Sequence, residues 1–411
     1  MAIPNIIINK INYTKIIKDL LIDNKFNFEE KLKQEIVNLT EVSDKKILLL
    51  GRARTAIYLA VKNSIKEKKS KLILMSPFTI PEVIELVISA GGIPHFVDFL
   101  SESTFFDINY VKDCIKLKPS ALIITHYNIN QINYSEISKL CENNDIDLIE
   151  DSAISFSGKV ENTNINSLSN YSLYSFSSFK LINFFFGGAL TIKSENMTHI
   201  KELTKNWKSL KFRNYKNQIT RTLVYNFLTN KYIYNSFTIN YLKLRSIFKN
   251  DEIDLIDKKL KTKKIFIDKT YFSLLPSYGV NELYRKIGEY PEERKNRQKI
   301  AYQYYQSLQD ITAGALYNIK NLINTSDNFS FMIICKDFKH KKELKNKLLK
   351  KNVNIGSQMY PNCSLISKYS SINGKTSNIK NLCDKILILP THSKLTGDYV
   401  ENLIYEIKKN Y

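Results

Sequence analysis

The sequence is poor in residues that interrupt regular structure. Its 411 residues include 12 glycines and 9 prolines, which are too few for a chain dominated by linkers or low-complexity segments. Hydrophobic residues account for 43% and charged residues for 25% of the chain. This balance is typical of a folded globular protein, and the length suffices for two or more domains.

Signals for metals, disulfides and membranes are also scarce. The five cysteines are scattered, and neither CxxC nor HExxH spacing occurs. We therefore expect no metal site, no disulfide framework and a reducing compartment. The N-terminus lacks the apolar centre of a signal peptide, and no apolar run reaches the roughly 18 residues that cross a bilayer. The sequence thus predicts a cytoplasmic protein.

The charge is strongly positive and unevenly distributed. The formal net charge is +21, and residues 201–250 contain eleven lysines and arginines but only one acidic residue, Glu202. A basic protein can bind nucleic acid or an anionic membrane surface. The concentration of the excess in one segment indicates a local surface rather than a general property of the chain.

From residue 46 onwards, short apolar runs alternate with stretches of helical period. Runs of about five apolar residues separated by amphipathic helices are typical of buried parallel strands in βαβ units. Ligands of such sheets bind at the carboxyl ends of the strands. We therefore predict an α/β fold. The predicted strands are residues 46–50, 71–75, 93–99, 121–125 and 146–150.

The pattern changes in the second half of the chain. Residues 221–248 have a helical period and are rich in aromatic and basic residues, and residues 281–308 predict one long helix. Further strands are predicted at 329–335 and 385–390, followed by an amphipathic helix at 396–410. Helices and strands in this order indicate a second, smaller α+β domain.

Two residues stand out in the first half. Asp151 follows the predicted strand at 146–150, and Lys180 lies in the aromatic run "YSFSSFKLINFFFGG" at 174–188. Taken alone, Asp151 suits a helix N-cap and Lys180 a surface lysine. Together they suit pyridoxal phosphate. A lysine in an apolar pocket, which we expect the aromatic run to form, has a lowered pKa and can form a Schiff base, while a carboxylate keeps the ring nitrogen protonated.

An ordered set of segments resembles the DegT/DnrJ/EryC1/StrS sugar aminotransferases, which are fold type I pyridoxal-phosphate enzymes. The resemblance extends over nearly the whole chain. It implies a large domain with a mostly parallel mixed sheet and a smaller α+β C-terminal domain. The matching segments are "GRARTAIYLAV" (51–61), "SPFTIPEVIELVISAGGIPHFVDF" (76–99), "ALIITHYNINQINYSEISKLCENNDIDLIEDSA" (121–153), "YSFSSFK" (174–180), "FFFGGAL" (184–190) and "KILILPTH" (385–392).

The resemblance assigns cofactor roles to five positions. Lys180 matches the lysine that forms the Schiff base and then transfers the proton. Asp151 matches the carboxylate at the pyridine nitrogen, and Ser175 matches the serine at the cofactor phosphate. Ala53 and Arg54 take the place of a Gly-Thr pair at a helix N-terminus, where amide groups and the helix dipole favour a phosphate. For Arg54, a solvated surface position is the alternative.

Three further positions concern the cofactor ring. Ile154 replaces the Gln or His that contacts the ring oxygen three residues after the family's aspartate. The aromatic residue that stacks on the ring aligns with Ile80, unless Phe78 takes its place. These departures affect the predicted cofactor affinity and substrate class, and they leave the lysine and the aspartate in place.

Two other motifs of the family are altered. The glycine of "H-x-x-G" is missing after His126, which is either a functional residue or a hydrogen-bonded core histidine. The motif "NYRM", which reaches into the partner subunit's site, aligns with "SYGV" at 277–280. Ser277 partly replaces its asparagine, whereas Gly279 cannot replace its arginine. The family's shared site implies a homodimer.

The resemblance implies a pyridoxal-phosphate-dependent aminotransferase. Its reaction would move an amino group from glutamate to a keto sugar nucleotide or related metabolite, a step suited to polysaccharide biosynthesis. A dehydratase of the same fold is less favoured, because family dehydratases lose the lysine that is retained at 180. The other alternative is a divergent member with altered or lost cofactor chemistry that acts as a membrane-docked binding protein. Ile80, Ile154 and Gly279 favour that alternative.

The stretch between the glycine pair and "SYGV" is longer than in the family, which implies an insertion. Three interpretations of its basic, aromatic sequence stay open: a helical extension packed on the dimer, an interfacial helix on an anionic membrane, or a nucleic-acid site, for which no motif is present. The expected divisions are an N-terminal arm and helices (1–45), a large cofactor-binding domain (46–209), the insertion (210–265) and a smaller C-terminal domain (266–411).

Overall fold

The computed structural model describes most of the chain. The described residues are 2–6, 28–66, 68–127, 130–247, 267, 270–311, 320–356 and 360–411. Residues 1 and 7–27 of the predicted N-terminal arm and helices (1–45) and residues 248–265 of the predicted insertion therefore lie outside the described residues.

The centre of the molecule is a seven-stranded mixed sheet. Including two separate strand pairs, β6 with β7 and β10 with β11, the strands of the described part of the chain are β1 (Lys45–Leu50), β2 (Leu72–Met75), β3 (Ile93–Phe96), β4 (Ala121–Thr125), β5 (Asp147–Asp151), β6 (Lys159–Val160), β7 (Thr163–Asn164), β8 (Tyr171–Ser175), β9 (Gly188–Lys193), β10 (Ser330–Ile334) and β11 (Ile386–Pro390). The order across the sheet is β1-β9-β8-β5-β4-β2-β3. Strand β9 runs antiparallel to both of its neighbours, and β8, β5, β4, β2 and β3 pair in parallel.

Helices cover the sheet and form most of the second half of the chain. They are α1 (Phe28–Thr40), α2 (Thr55–Ser64), α3 (Pro81–Ser89), α4 (Ile108–Ile115), α5 (Tyr134–Asn143), α6 (Met197–Thr204), α7 (Lys216–Leu228), α8 (Lys231–Ile233), α9 (Ile239–Ile247), α10 (Val280–Gly288), α11 (Tyr290–Leu308), α12 (Lys320–Thr325), α13 (Phe338–Lys350), α14 (Ser377–Lys385) and α15 (Gly397–Asn410). No helix in the described part of the chain is long and apolar enough to span a bilayer.

The strands are buried on both faces of the sheet, which explains why continuous apolar runs predict their positions. All five residues of β4 are buried, because the sheet has a hydrophobic layer on each face. Ile123 packs with α2 and α3 on one face, while Leu122 and Ile124 pack with α4 and α5 on the other. Successive side chains of a strand point to opposite faces, so a strand covered on both sides is apolar throughout. The predicted α/β fold is confirmed.

Two details of the prediction are wrong. The run at 46–50 was expected in the parallel βαβ series, but β1 pairs with antiparallel β9. The single long helix expected at 281–308 is two helices, α10 and α11, divided at Glu289. Pro291 lies in the first turn of α11, where its missing N–H is tolerated, whereas in the middle of a continuous helix its ring would clash with the preceding turn.

The C-terminal part has its own small sheet and core. Strands β10 and β11 pair antiparallel, and α11, α13 and α15 pack with them in one buried cluster. Helices α13 and α15 contact each other, as do α11 and α15. The α+β pattern predicted for this region is present, while the boundaries between the four divisions of the chain stay a prediction.

Candidate active site

Asp151 is the last residue of β5, at the carboxyl edge of the sheet. It is 9% exposed, and its Oδ1 accepts a hydrogen bond from the Ala153 amide at 3.0 Å. The chain then turns without entering a helix, so the helix-cap alternative is wrong. Burial raises the pKa of the Asp151 carboxyl, and the charge of Lys180 is the main opposing effect, with a smaller contribution from Arg54.

Lys180 lies in the loop that follows β8. Its amide donates to the Ser177 carbonyl at 3.1 Å, which closes a turn. The side-chain Nζ donates to the Tyr360 hydroxyl at 3.5 Å. Burial lowers the pKa of Lys180 to about 8; Asp151 acts to raise it, and Arg54 lowers it further. At neutral pH about one tenth of such an amine is unprotonated and can act as a nucleophile.

The aromatic run around Lys180 forms core rather than the pocket that we expected. Phe176, Phe184 and Phe186 are at most 4% exposed and pack in a cluster with α1 and α10. The ring beside the Lys180 amine is that of Tyr360, whose centre lies 5.9 Å from Nζ. Sequence reasoning missed Tyr360 because it lies 180 residues away, and an aromatic residue before Pro361 is too common a signal.

Helix α7, within the predicted insertion, supports the lysine loop. The hydroxyls of Ser178 and Thr222 are 2.6 Å apart. The ring of Phe179 packs edge-on against Tyr225, with 4.9 Å between ring centres. Thr222 and Tyr225, on the inward face of α7, therefore hold Ser178 and Phe179, the two residues that precede Lys180. This support was also missed, since nothing in the sequence connects the two segments.

The residues predicted to hold a phosphate meet at one edge of the sheet. Ser175, at the end of β8, pairs with Gly188, at the start of β9. A Cβ added to Gly188 would lie 2.4 Å from the Ala53 Cα, so these backbones are in close contact. Helix α2 begins at Thr55, with Arg54 as its N-cap residue. The start of α2 and the end of β8 thus lie at the same edge of the sheet, while the contacts of Ser175, Ala53 and Arg54 with a phosphate stay a prediction.

Arg54 is partly solvated and also acts on the site. Its Nη1 lies 3.2 Å from Glu82 Oε1, and both side chains are about one third exposed. Ion pairs at this exposure contribute little, roughly 0–1 kcal/mol. The guanidinium affects the pKa values of both Asp151 and Lys180. The surface-arginine alternative therefore describes only part of its environment, and its phosphate contact stays a prediction.

The three positions assigned to the cofactor ring have different surroundings. Phe78 is 1% exposed and lies between Tyr127 and Tyr360, with ring centres 5.3 and 6.0 Å away. Ile80 is partly buried and precedes α3, and Ile154 is 2% exposed in the hydrophobic layer that contains α4 and α5. The structure therefore brings Phe78 into contact with the ring beside Lys180. Ring contacts of all three stay a prediction.

His126 is a hydrogen-bonded core histidine, which is one of the two alternatives. It is fully buried; its Nδ1 accepts from the Gln131 amide at 3.2 Å, and its Nε2 lies 3.1 Å from Glu150 Oε1. Because Nδ1 accepts, the proton is on Nε2, which donates to Glu150. Glu150 precedes Asp151 in β5, so this pair fixes the end of the strand that carries Asp151.

Ser277 is exposed at the start of a short 3₁₀ turn, Ser277–Gly279. Gly279 packs against the Phe184 ring so closely that an added Cβ would lie 2.7 Å from it. The resemblance assigns Ser277 to the partner subunit's site, which a single chain does not test.

Among the described residues, no group of three or more His, Cys, Asp or Glu side chains is arranged to hold a metal ion. The five cysteines are buried and free.

This site, a lysine with a lowered pKa that interacts electrostatically with a buried carboxylate in an α/β fold, agrees with a comparison with known families. The chain matches the model of the DegT/DnrJ/EryC1/StrS aminotransferase family over residues 15–231 and 283–408. It therefore belongs to this family, whose enzymes are pyridoxal-phosphate-dependent aminotransferases. The predicted family, enzyme class and cofactor are confirmed. The match leaves out residues 232–282, which overlap the predicted insertion at 210–265.

Two curated relatives match part of the chain. The UDP-4-amino-4,6-dideoxy-N-acetyl-β-L-altrosamine transaminase of Campylobacter jejuni is 24% identical over 153 residues, which are 36% of this chain and 40% of the relative. An uncharacterized protein of Methanocaldococcus jannaschii is 23% identical over 167 residues, which are 40% of this chain and 43% of the relative. The chain thus matches about two fifths of the length of these relatives.

Solved structures share the fold over nearly the whole of both chains. Helicobacter pylori PseC, an aminotransferase involved in the biosynthesis of pseudoaminic acid, has a TM-score of 0.73 at 14% identity, covering 100% of this chain and 99% of that chain. DesI in the presence of its TDP-sugar product has a TM-score of 0.70 at 14% identity, covering 99% and 93%. These similarities confirm the predicted fold type I architecture.

The residues present fit pyridoxal phosphate in their chemistry. Lys180 offers an amine with a pKa of about 8, and Asp151 offers a buried carboxyl whose ionised form a protonated ring nitrogen would stabilise. Ser175 and Arg54 offer a hydroxyl and a positive charge beside a helix N-terminus. Ile154, in contrast, offers no hydrogen bond to the ring oxygen.

Proposed function

We propose that this chain transfers an amino group, with glutamate as donor, to the keto group of a sugar nucleotide or related metabolite. The observation that carries the proposal is the Lys180 amine, which follows β8 at the carboxyl edge of the sheet, interacts electrostatically with Asp151 and has its pKa lowered by burial to about 8. The substrate class is supported by the names of similar proteins, which include a UDP-linked amino-sugar transaminase and a structure with a TDP-sugar product. The amino donor is supported by the family resemblance.

The residues take complementary roles in this reaction. Bound pyridoxal phosphate supplies an aldehyde that captures amines and a ring that accepts electrons. Lys180 would hold the cofactor through its neutral amine and would carry a proton to and from the reacting carbon as general acid and base. Asp151 keeps the ring nitrogen protonated. Ser175, Arg54 and the amide groups of Ala53 and Arg54 hold the phosphate.

We also propose that the chain acts as a homodimer in the cytoplasm. The dimer is supported by the family resemblance, in which the loop at 277–280 completes the partner's site. The exposure of Ser277 in the single chain is consistent with that role.

The proposal is tested by following 2-oxoglutarate formation when the purified protein, pyridoxal phosphate and glutamate are mixed with UDP- or TDP-linked keto sugars. Amino-sugar formation that Lys180→Ala abolishes and Lys159→Ala preserves is the expected result. Lys159 is exposed on β6, and its Nζ lies 3.5 Å from Glu41 Oε2.

A second measurement distinguishes a wrong assignment of the substrate or donor from a failure of Lys180 to react with the cofactor. The absorption spectrum with pyridoxal phosphate, followed by borohydride reduction and peptide mapping, should show modification of Lys180. Modification without turnover would overturn the sugar-nucleotide or glutamate assignment alone. No modification at saturating cofactor would overturn the catalytic role of Lys180 and favour the membrane-docked binding protein.

A further inference from the structure

Exposed apolar side chains are concentrated in the helices of the predicted insertion. In the described part of the chain, eight of fifteen exposed large hydrophobic residues lie between 212 and 244. They are Phe212, Leu223, Val224, Phe227, Tyr232, Phe237, Tyr241 and Leu244. Contiguous exposed apolar surface on an otherwise folded protein usually marks an interaction site.

These side chains form stripes along two helical segments. In α7, Leu223, Val224 and Phe227 recur at helical spacing and are 47–61% exposed. The second segment is the helical stretch 231–247, which includes α8 and α9. There, Phe237 and Tyr241 have nearly parallel rings with 6.5 Å between their centres, and Leu244 follows one turn later. Residues three and four apart lie on one side of a helix, so each segment presents an apolar face outwards.

The opposite faces are anchored to the rest of the protein. Thr222 and Tyr225 of α7 contact the lysine loop through Ser178 and Phe179. Tyr234 and Ile239 are 2% exposed and pack with Leu349 of α13 and with Ala2. The Tyr234 hydroxyl also accepts a hydrogen bond from Asn354 at 3.1 Å. Because these contacts fix the inward faces, the outward stripes are presented by a folded scaffold.

Within the segment that carries the stripes, the charged side chains are all basic. Residues 203–250 include no aspartate or glutamate, while Lys211, Arg213, Lys216, Lys231 and Arg245 are exposed. Aromatic and aliphatic side chains surrounded by bases suit the boundary between the headgroups and the acyl chains of an anionic bilayer. A second copy of this chain would bring a cluster of bases against an identical cluster, which costs energy.

We propose that the outward face of residues 212–245 docks on an anionic membrane surface. It would hold the protein peripherally through inserted aromatic rings and contacts between bases and lipid headgroups. The inference goes beyond the amino-transfer reaction and does not depend on it.

The test is sedimentation of the full-length protein with vesicles of phosphatidylcholine alone and of phosphatidylcholine with phosphatidylglycerol. Binding only to the anionic vesicles, weakened by added salt, is expected. Replacing Lys216, Lys231 and Arg245 with glutamine should lower the partition coefficient roughly 100-fold, since each base near the surface contributes about 1 kcal/mol. The matched control replaces Lys116, Lys159 and Lys339, which are exposed elsewhere, and should bind as the wild type does.

A second pair of variants tests the apolar contribution. Phe227→Ser with Phe237→Ser should reduce binding at least about tenfold. Phe338→Ser with Tyr405→Ser, at side chains that are 49% and 59% exposed, should leave it unchanged. Equal binding by both pairs would overturn the proposal. A change of oligomeric state in the first pair, seen by light scattering, would overturn it in favour of a second copy on this face.

Discussion

At the scale of single residues, the site is a balance of charges around one amine. Burial lowers the pKa of Lys180, Arg54 lowers it further, and Asp151 raises it. Asp151 responds in turn, since burial raises its pKa while Lys180 and Arg54 oppose the rise. The net result is an amine that titrates within about one unit of neutral pH. Removing Arg54 should therefore raise the pKa of Lys180, and removing Asp151 should lower it.

This expectation can be measured on cofactor-free protein by labelling lysines with acetic anhydride and quantifying the Lys180 peptide by mass spectrometry. The labelling rate of Lys180 should rise with pH and level off above a midpoint of about 8, since only the neutral amine reacts. Arg54→Gln should move the midpoint up and Asp151→Asn should move it down, by up to about one unit each. Arg54→Lys retains the charge and serves as the control. Shifts of the same sign in the two variants would refute this account.

At the scale of elements, strands that are buried on both faces are the ones whose bounds the sequence predicts best. Strand β4 coincides with its predicted bounds, β1 and β2 differ by one residue at one end, and β5 is shifted by one residue, because apolar layers on both faces leave a continuous apolar run. The break between α10 and α11 was not anticipated, since one proline in a helical pattern is compatible with a kink or with a stop. Local sequence specifies an element better than it specifies where neighbouring elements separate.

The junction of β8, β9 and α2 gives a prediction at this scale. Gly188→Ala would place a Cβ 2.4 Å from Ala53 Cα and 2.6 Å from the Tyr174 carbonyl oxygen, so the backbones must separate. We expect a loss of about 1–3 kcal/mol in the free energy of unfolding, with weaker binding of pyridoxal phosphate as the α2 N-terminus moves away from Ser175. Urea denaturation and absorbance titration measure the two effects.

Gly288→Ala is the matched control for that substitution, because nothing lies within 4 Å of the Cβ that it would add. It should leave cofactor affinity unchanged and stability equal or slightly higher, since alanine favours a helix more than glycine does. If Gly188→Ala behaves in the same way, the close contact does not position α2.

At the scale of the whole molecule, the site combines distant parts of the chain. Strand ends supply Asp151 and Ser175, α7 supports the lysine loop, and the C-terminal segment supplies Tyr360. The lysine and the aspartate could be predicted because each lies in a recognisable local pattern. Tyr360 and Thr222 could not, because their roles arise only when segments that are remote in sequence pack together.

The proposed homodimer extends this assembly to a second chain, and mixed dimers test it. If Ser277 reaches the partner's site, Ser277→Trp blocks that site, whereas Lys180→Ala disables its own. Each variant alone should be inactive. Co-expressed, the two should form hybrid dimers in which one site has both changes and the other has neither, so activity should recover to about a quarter of the wild-type value. Because Ser277 is exposed in the single chain, Ser277→Trp should fold, and circular dichroism checks the folding of both variants. Hybrids without activity would show that Ser277 acts within its own chain or that the site is not shared.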